Sequence, residues 1–254
     1  MTGNTTNFAA LIPARYASTR FPGKPLADIH GKPMIQHVYE RVSSLFKQSA
    51  VATDDERIAN VVKSFGGNYI MTATSHQSGT DRCAEASEIA INKFGWKIDV
   101  VVNIQGDEPF IEVEQLKQIC SSFSNSNTQI ATLIKVIENW AELFDPNKPK
   151  VVIDNLGKAI YFSRNPIPFM RGKPDNQWLN SHVYYKHIGM YAYRLNILRT
   201  ISKLEPGKLE LAESLEQLRW IENGFEIQTS LTDVENISVD TPEDLAQLLA
   251  KRNL

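Results

Sequence analysis

Short apolar runs alternate with amphipathic stretches from the N-terminus onward, the pattern of strands and crossover helices in a mainly parallel sheet. Residues 8–12 form the first run. Residues 33–46 then read as a helix with proline in its first turn and Met34, Val38, Val42 and Leu45 along one face. Residues 50–52 predict a short buried strand, 56–65 a helix stopped at Gly66 and Gly67, 69–72 a strand and 81–94 a helix. The clearest strand is 98–104, whose β-branched residues suit burial on both faces. It runs out at Gln105-Gly106-Asp107-Glu108-Pro109. Ligands of open α/β sheets bind beyond the carboxyl ends of such strands, so position alone makes Asp107 a candidate.

The second half alternates less regularly. Residues 130–136, 151–153 and 188–193 predict strands, and over 225–231 apolar and polar positions alternate as in a strand with one wet face. Residues 209–222 predict one helix, with Leu211, Leu215 and Leu218 as its apolar stripe and Glu213, Glu216 and Gln217 opposite. The last helix opens with Thr241 as cap, Pro242 at its first position and Asp244 at its third, a capping-box arrangement. No linker divides the chain. The expectation is one domain over residues 1–254 with an inserted subregion near 139–189.

The composition is that of a soluble globular protein: 254 residues, 42% hydrophobic and 22% charged. A formal charge of −2 leaves no basic excess for a nucleic-acid surface, so any phosphate must be met locally. Cys83 and Cys120 make no metal-ligand pair and read as small buried hydrophobes in a reducing compartment. The run at 8–12 is too short for a signal peptide or membrane span, and the expected location is the cytoplasm. Motifs of dinucleotide enzymes, P-loop ATPases, zinc hydrolases and α/β-hydrolases are absent, as is Asp-x-Asp.

Three constellations could carry chemistry. The loop after the first strand holds Arg15, Arg20 and Lys24 and no acid from Ala14 to Ala27. Planar guanidinium forks and a movable ammonium are what a triphosphate needs, although a solvated basic turn has the same composition. Asp107 and Asp240 lie more than half the chain apart. If folded together they offer hard oxygens to a Mg²⁺ that takes further ligands from phosphates; singly, each reads as a turn or helix-start residue. Residues 76–82, which include Ser78 and Gly79, suit either a helix cap or a polar backbone against a base or ribose. In the second half Arg164 could fork onto a carboxylate, and His187 and Tyr191 could bond sugar hydroxyls; a lone histidine is more often structural.

Together these segments resemble the 3-deoxy-manno-octulosonate (KDO) cytidylyltransferase, or CMP-KDO synthetase, family. The match is collinear from Ile12 to Asp244 and includes Ile12-Pro-Ala-Arg-Tyr-Ala-Ser-Thr-Arg20, Pro22-Gly-Lys-Pro25, His76-Gln-Ser-Gly-Thr80, Asn103-Ile-Gln-Gly-Asp-Glu-Pro109, Tyr161-Phe-Ser-Arg164, His187-Ile-Gly189 and Val239-Asp-Thr-Pro-Glu-Asp244. The resemblance implies an α/β, mainly parallel, Rossmann-like nucleotide-diphospho-sugar transferase fold. It also implies a homodimer that converts CTP and KDO to CMP-KDO and pyrophosphate with Mg²⁺, with 139–189 as its sugar-binding and dimerisation subregion. By motif, Arg15 and Lys24 become triphosphate ligands, Ser78, Gly79 and Gln105 the nucleotide site, and Asp107 and Asp240 the metal ligands. Arg164, His187, Tyr191, Glu216 and Gln217 become the sugar-acid pocket. Ser238 stands where many relatives have Gly, and residues 171–184 follow no family pattern. Glu108 favours KDO over its 8-amino analogue, whose branch tends to carry Gln there. A sialic acid cytidylyltransferase and a non-catalytic nucleotide-binding module are the other readings.

Overall fold

The apolar runs of the first half become parallel strands because most are buried on both faces, leaving no wet side to alternate. They are β1 (Phe8–Ala14), β4 (Ser49–Thr53), β5 (Tyr69–Met71) and β6 (Val100–Asn103). The computed structural model describes residues 6–17, 20–235 and 238–250. Ser18 and Thr19, which belong to the first motif read above, lie outside the described residues. Between β1 and β4 come a two-residue ribbon, β2 (Asp28–Ile29) against β3 (Lys32–Pro33), and the helix α1 (Met34–Leu45). Helices α2 (Glu56–Ser64) and α3 (Gly79–Phe94) make the later crossovers, and α4 (Val113–Ser121) follows β6. Pro33 turns out to cap α1 from outside rather than to open it.

The described residues group into two compact units, the first drawn from Met1–Leu116 and Asn236–Leu254, the second from Lys117–Glu235. In the first, the strand order is β6-β1-β4-β5 and every pairing is parallel. The chain leaves β1 towards β4 on one side, and β6 pairs with it on the other. The switch point of the sheet therefore falls between the carboxyl ends of β1 and β6, where such sheets bind ligands.

The second unit holds β7 (Ile130–Val136), α5 (Trp140–Phe144), β8 (Lys150–Ile153), β9 (Ala159–Ser163), β10 (Tyr185–Arg194), α6 (Leu195–Ile201), α7 (Lys208–Glu213), α8 (Gln217–Glu222) and β11 (Ile227–Leu231). β11 pairs parallel to β7; β10 pairs antiparallel to β7 and to β8, and β8 antiparallel to β9. The fold class is the expected one, an α/β fold whose sheet is mixed and mainly parallel. Segment 139–189 lies within the second unit. The single helix expected over 209–222 is two: Ser214 takes a left-handed φ of 52° and ends α7, and the chain rewinds as α8. That break leaves Leu211 exposed and turns Gln217 inward, contrary to the expected stripe.

The last helix, α9 (Pro242–Ala250), returns to the first unit. Its capping box forms as expected: Thr241 Oγ1 accepts from Asp244 N at 3.2 Å while Asp244 Oδ2 accepts from Thr241 N at 2.9 Å. No helix among the described residues is long and apolar enough to cross a membrane. Neither Cys83 nor Cys120 forms a disulfide, and burial pushes the Cys120 thiol up to about 12.

Candidate active site

A cavity of about 430 Å³ lies at the switch point of the first unit, lined among others by Arg15, Lys24, Ser78, Gly79, Gln105 and Asp107. The five residues expected to meet the nucleotide and one expected metal ligand thus line one cavity. Close packing shapes it. A Cβ on Gly106 would stand 3.1 Å from the Pro13 carbonyl oxygen, and one on Gly79 would stand 3.2 Å from Pro13 Cγ. Glycine at both positions lets the ends of β1 and β6 and the start of α3 approach one another. Ser78 caps α3, its hydroxyl accepting from Asp81 N at 3.1 Å, so the cap reading of this segment is realised inside the cavity wall. Arg15 is exposed and reaches the His76 carbonyl at 3.5 Å through Nη1.

The two aspartates meet at one cation. Lys24 Nζ lies 2.6 Å from Asp107 Oδ2 and 3.1 Å from Asp240 Oδ1, and Arg20 Nη2 reaches the same Asp240 oxygen at 3.3 Å. Backbone and core bring them there. Val239 N donates to Asp107 O at 3.0 Å, and Val239 and Leu248 join Ile29 and Met34 in a buried cluster flanked by Phe21, Phe110 and Leu245. Asp240 is therefore carried to Asp107 by the burial of its apolar neighbour and of the helix that follows. Asp244 anchors the junction. Burial works to raise its carboxyl, but the Asp240 and Thr241 amides outweigh that and hold it below the usual carboxylate range.

Two carboxylates already turned towards a single positive atom are a donor set suited to a hard divalent cation. Such a cation would be held by Asp107 and Asp240 and would take its remaining ligands from water and phosphate. Arg82, beyond its expected place in a polar cap, is a structural anchor of this cavity. Its side chain is 1% exposed, with Nη2 on Asp54 Oδ2 at 2.9 Å and Nη1 on Thr72 Oγ1 at 2.6 Å, so it ties α3 to the ends of β4 and β5. An arginine four residues past a serine cap, facing strand ends that carry Asp54 and Thr72, is the only trace of this in the sequence.

The expected sugar-side residues all lie in the second unit. His187 packs edge-on to Phe162 and tilted against Tyr191, with ring centroids 5.2 and 5.1 Å away, and its Nε2 is 2.9 Å from Thr132 Oγ1. Burial pulls its imidazole down to about 3, so it is neutral at physiological pH. Burial also raises the Tyr191 hydroxyl well above its ordinary value, with Tyr193 and the Glu216 carboxylate adding to the effect. Tyr191 Oη and Gln217 Nε2 are buried without a hydrogen-bond partner, polar atoms that a ligand could satisfy.

Arg164 is differently employed. Its Nε donates to Glu213 O at 2.6 Å, Nη1 to Pro146 O at 2.8 Å and Nη2 to Ser214 O at 3.2 Å, while its backbone N donates to Glu213 Oε2 at 2.9 Å. The guanidinium shapes the corner between α7 and α8 and has two of its five N–H groups left for a carboxylate.

A sequence profile of the cytidylyltransferase family matches residues 9–231. Over 247 residues the chain is 56% identical to the 3-deoxy-manno-octulosonate cytidylyltransferase of Parabacteroides distasonis, covering 96% of this chain and 97% of that one. The chain belongs to the 3-deoxy-manno-octulosonate cytidylyltransferase family. Another relative in this family, from Bacteroides thetaiotaomicron, is 54% identical over 241 residues, 94% of this chain and 95% of the relative. Among solved structures, a CMP:2-keto-3-deoxy-manno-octonic acid synthetase complexed with CTP matches with a TM-score of 0.87 at 41% identity, over 96% of this chain and 98% of that one. A cytidylyltransferase from Leptospira borgpetersenii, 16% identical with a TM-score of 0.62, shares the fold.

Proposed function

We propose that this member of the family transfers CMP from CTP to KDO, releasing pyrophosphate and supplying CMP-KDO for lipopolysaccharide synthesis. The observation that carries the reading is the convergence of Asp107 and Asp240 on Lys24 at the rim of the switch-point cavity. Arg15 and Lys24 bind the triphosphate and neutralise the leaving pyrophosphate, with Ser78, Gly79 and Gln105 along the nucleotide. Asp107 and Asp240 hold Mg²⁺, which when bound screens the phosphate charge and acidifies the attacking hydroxyl. In the second unit His187, Tyr191, Glu216 and Gln217 receive the sugar acid. The buried, unpartnered Tyr191 hydroxyl and Gln217 amide support that assignment, and Arg164 offers its two spare N–H groups to the carboxylate.

The sugar's anomeric hydroxyl attacks the α-phosphorus in line, and the bond from that phosphorus to the bridging oxygen of the β-phosphate breaks as pyrophosphate leaves. No covalent enzyme intermediate is required. In this reading the two units form one nucleotidyltransferase, and segment 139–189 serves both the sugar and dimerisation. The working form is a cytoplasmic homodimer, and Phe169 and Val183 are apolar and exposed within segment 139–189.

Purified protein mixed with CTP and Mg²⁺ should release pyrophosphate with KDO, and much more slowly with 8-amino-KDO or a sialic acid. Turnover of a sialic acid at the faster rate would transfer the assignment to that substrate, and none with any sugar acid would leave a binding module.

A further inference from the structure

Thr132 sits in β7 with no exposed surface, opposite Tyr191 where the pairing of β10 with β7 slips. The slip lies between Ile188 and Tyr191, and it lets one hydroxyl reach three groups of β10. Thr132 Oγ1 is 2.8 Å from the Met190 carbonyl oxygen, 3.3 Å from that of Ile188 and 2.9 Å from His187 Nε2.

A threonine hydroxyl has one hydrogen to give and two lone pairs to receive with. If Nε2 were bare, three acceptors would compete for that one hydrogen. With the hydrogen on Met190 O, the shorter carbonyl contact, the hydroxyl can only accept from the ring. Nε2 therefore carries the ring proton. Burial holds the imidazole neutral, so Nδ1 is left with a lone pair. Among the described residues no hydrogen bond to Nδ1 accompanies the one at Nε2, and the backbone N–H of His187 is already spent on Pro149 O at 2.8 Å.

We infer that Thr132 is a positioning residue that fixes His187 as a hydrogen-bond acceptor, so that the sugar must present a hydroxyl donor at this point. The inference rests on the reading of His187 as part of the sugar pocket. It adds a chemical demand: fluorine in place of that hydroxyl, which accepts but cannot donate, should fare no better than hydrogen.

The test uses the full-length protein. Long-range ¹H–¹⁵N spectra of the histidine rings near neutral pH should show His187 protonated at Nε2 alone in the wild type and in Thr132→Ser, and a mixture of tautomers in Thr132→Val. The KM for KDO should rise about tenfold in Thr132→Val, the effect of one lost buried hydrogen bond, be restored in Thr132→Ser, and the KM for CTP should stay within about twofold. One member of a series of singly deoxygenated KDO analogues should lose as much affinity as its fluorinated counterpart. A wild-type ring protonated at Nδ1, or a Thr132→Val variant with unchanged tautomer and sugar KM, would overturn the inference. So would a fluorinated series that binds like KDO throughout. Because the spectra need no turnover, a protein that shows the Nε2–H ring yet releases no pyrophosphate with KDO would fail the functional reading while keeping the tautomer.

Discussion

Lys24 was expected to meet phosphate, and it lies instead between two carboxylates. The positions agree once charge is counted: Lys24 and Arg20 together balance Asp107 and Asp240, and the ammonium stands within reach of whatever phosphate approaches them. Asp107 was legible from its place just after a strongly apolar strand. Asp240 was legible only through the family motif, because nothing else near it in the chain sets it apart from an acidic residue preceding a helix. Replacing either aspartate by asparagine keeps the shape and removes one negative charge. Asp107→Asn and Asp240→Asn should each lower kcat for pyrophosphate release at least about a hundredfold, the scale of losing a key electrostatic contact to the transition state. The melting temperature should stay within a few degrees. Near-wild-type turnover in either variant would remove that aspartate from the metal site.

At the scale of elements, helices signalled by local chemistry appeared where local chemistry said. The α9 box is an interaction among Thr241, Asp244 and their own backbone, and so could be read from spacing alone. Thr241→Ala should cost about 1 kcal/mol in urea unfolding, and Thr241→Ser should recover most of it. No loss in the alanine variant would mean that the packing of Val239 and Leu248 holds the junction without the cap. The break between α7 and α8 shows the opposite case. Residues 209–222 have a helical apolar rhythm, but Ser163 Oγ and Arg164 N bond the Glu213 carboxylate, and the Arg164 side chain binds the Glu213 and Ser214 carbonyls. Those partners lie some fifty residues earlier, and their bonds favour a left-handed Ser214 over another helical turn. Strand β9 was missed for a similar reason: its exposure alternates poorly, and it is defined by pairing with β8.

At the scale of the whole molecule His187 sets a pH dependence. His187 has an ordinary value of 6.5 in the unfolded chain and about 3 in the folded one. Below about pH 6.5 the unfolded chain gains a proton that the native protein refuses, so stability is full above that pH and falls as pH drops towards 3. Between pH 7 and pH 5 the loss should be about 2 kcal/mol by linkage, read from urea unfolding, and His187→Gln should flatten that slope. An equal slope in the variant would place the proton uptake elsewhere.

The chain's own order of residues determined the parallel sheet and its crossover helices, since burial on two faces and helical periodicity are written into neighbouring positions. It also determined the family, through motifs kept in order along nearly its full length. Tertiary structure alone decided that Asp240 lies beside Asp107, that Arg164 spends most of its donors on carbonyls and that Thr132 holds His187. Each of these joins groups distant in sequence. Hydrogen bonds and ion pairs act only over a few ångströms, so their partners are settled where the folded chain brings them together.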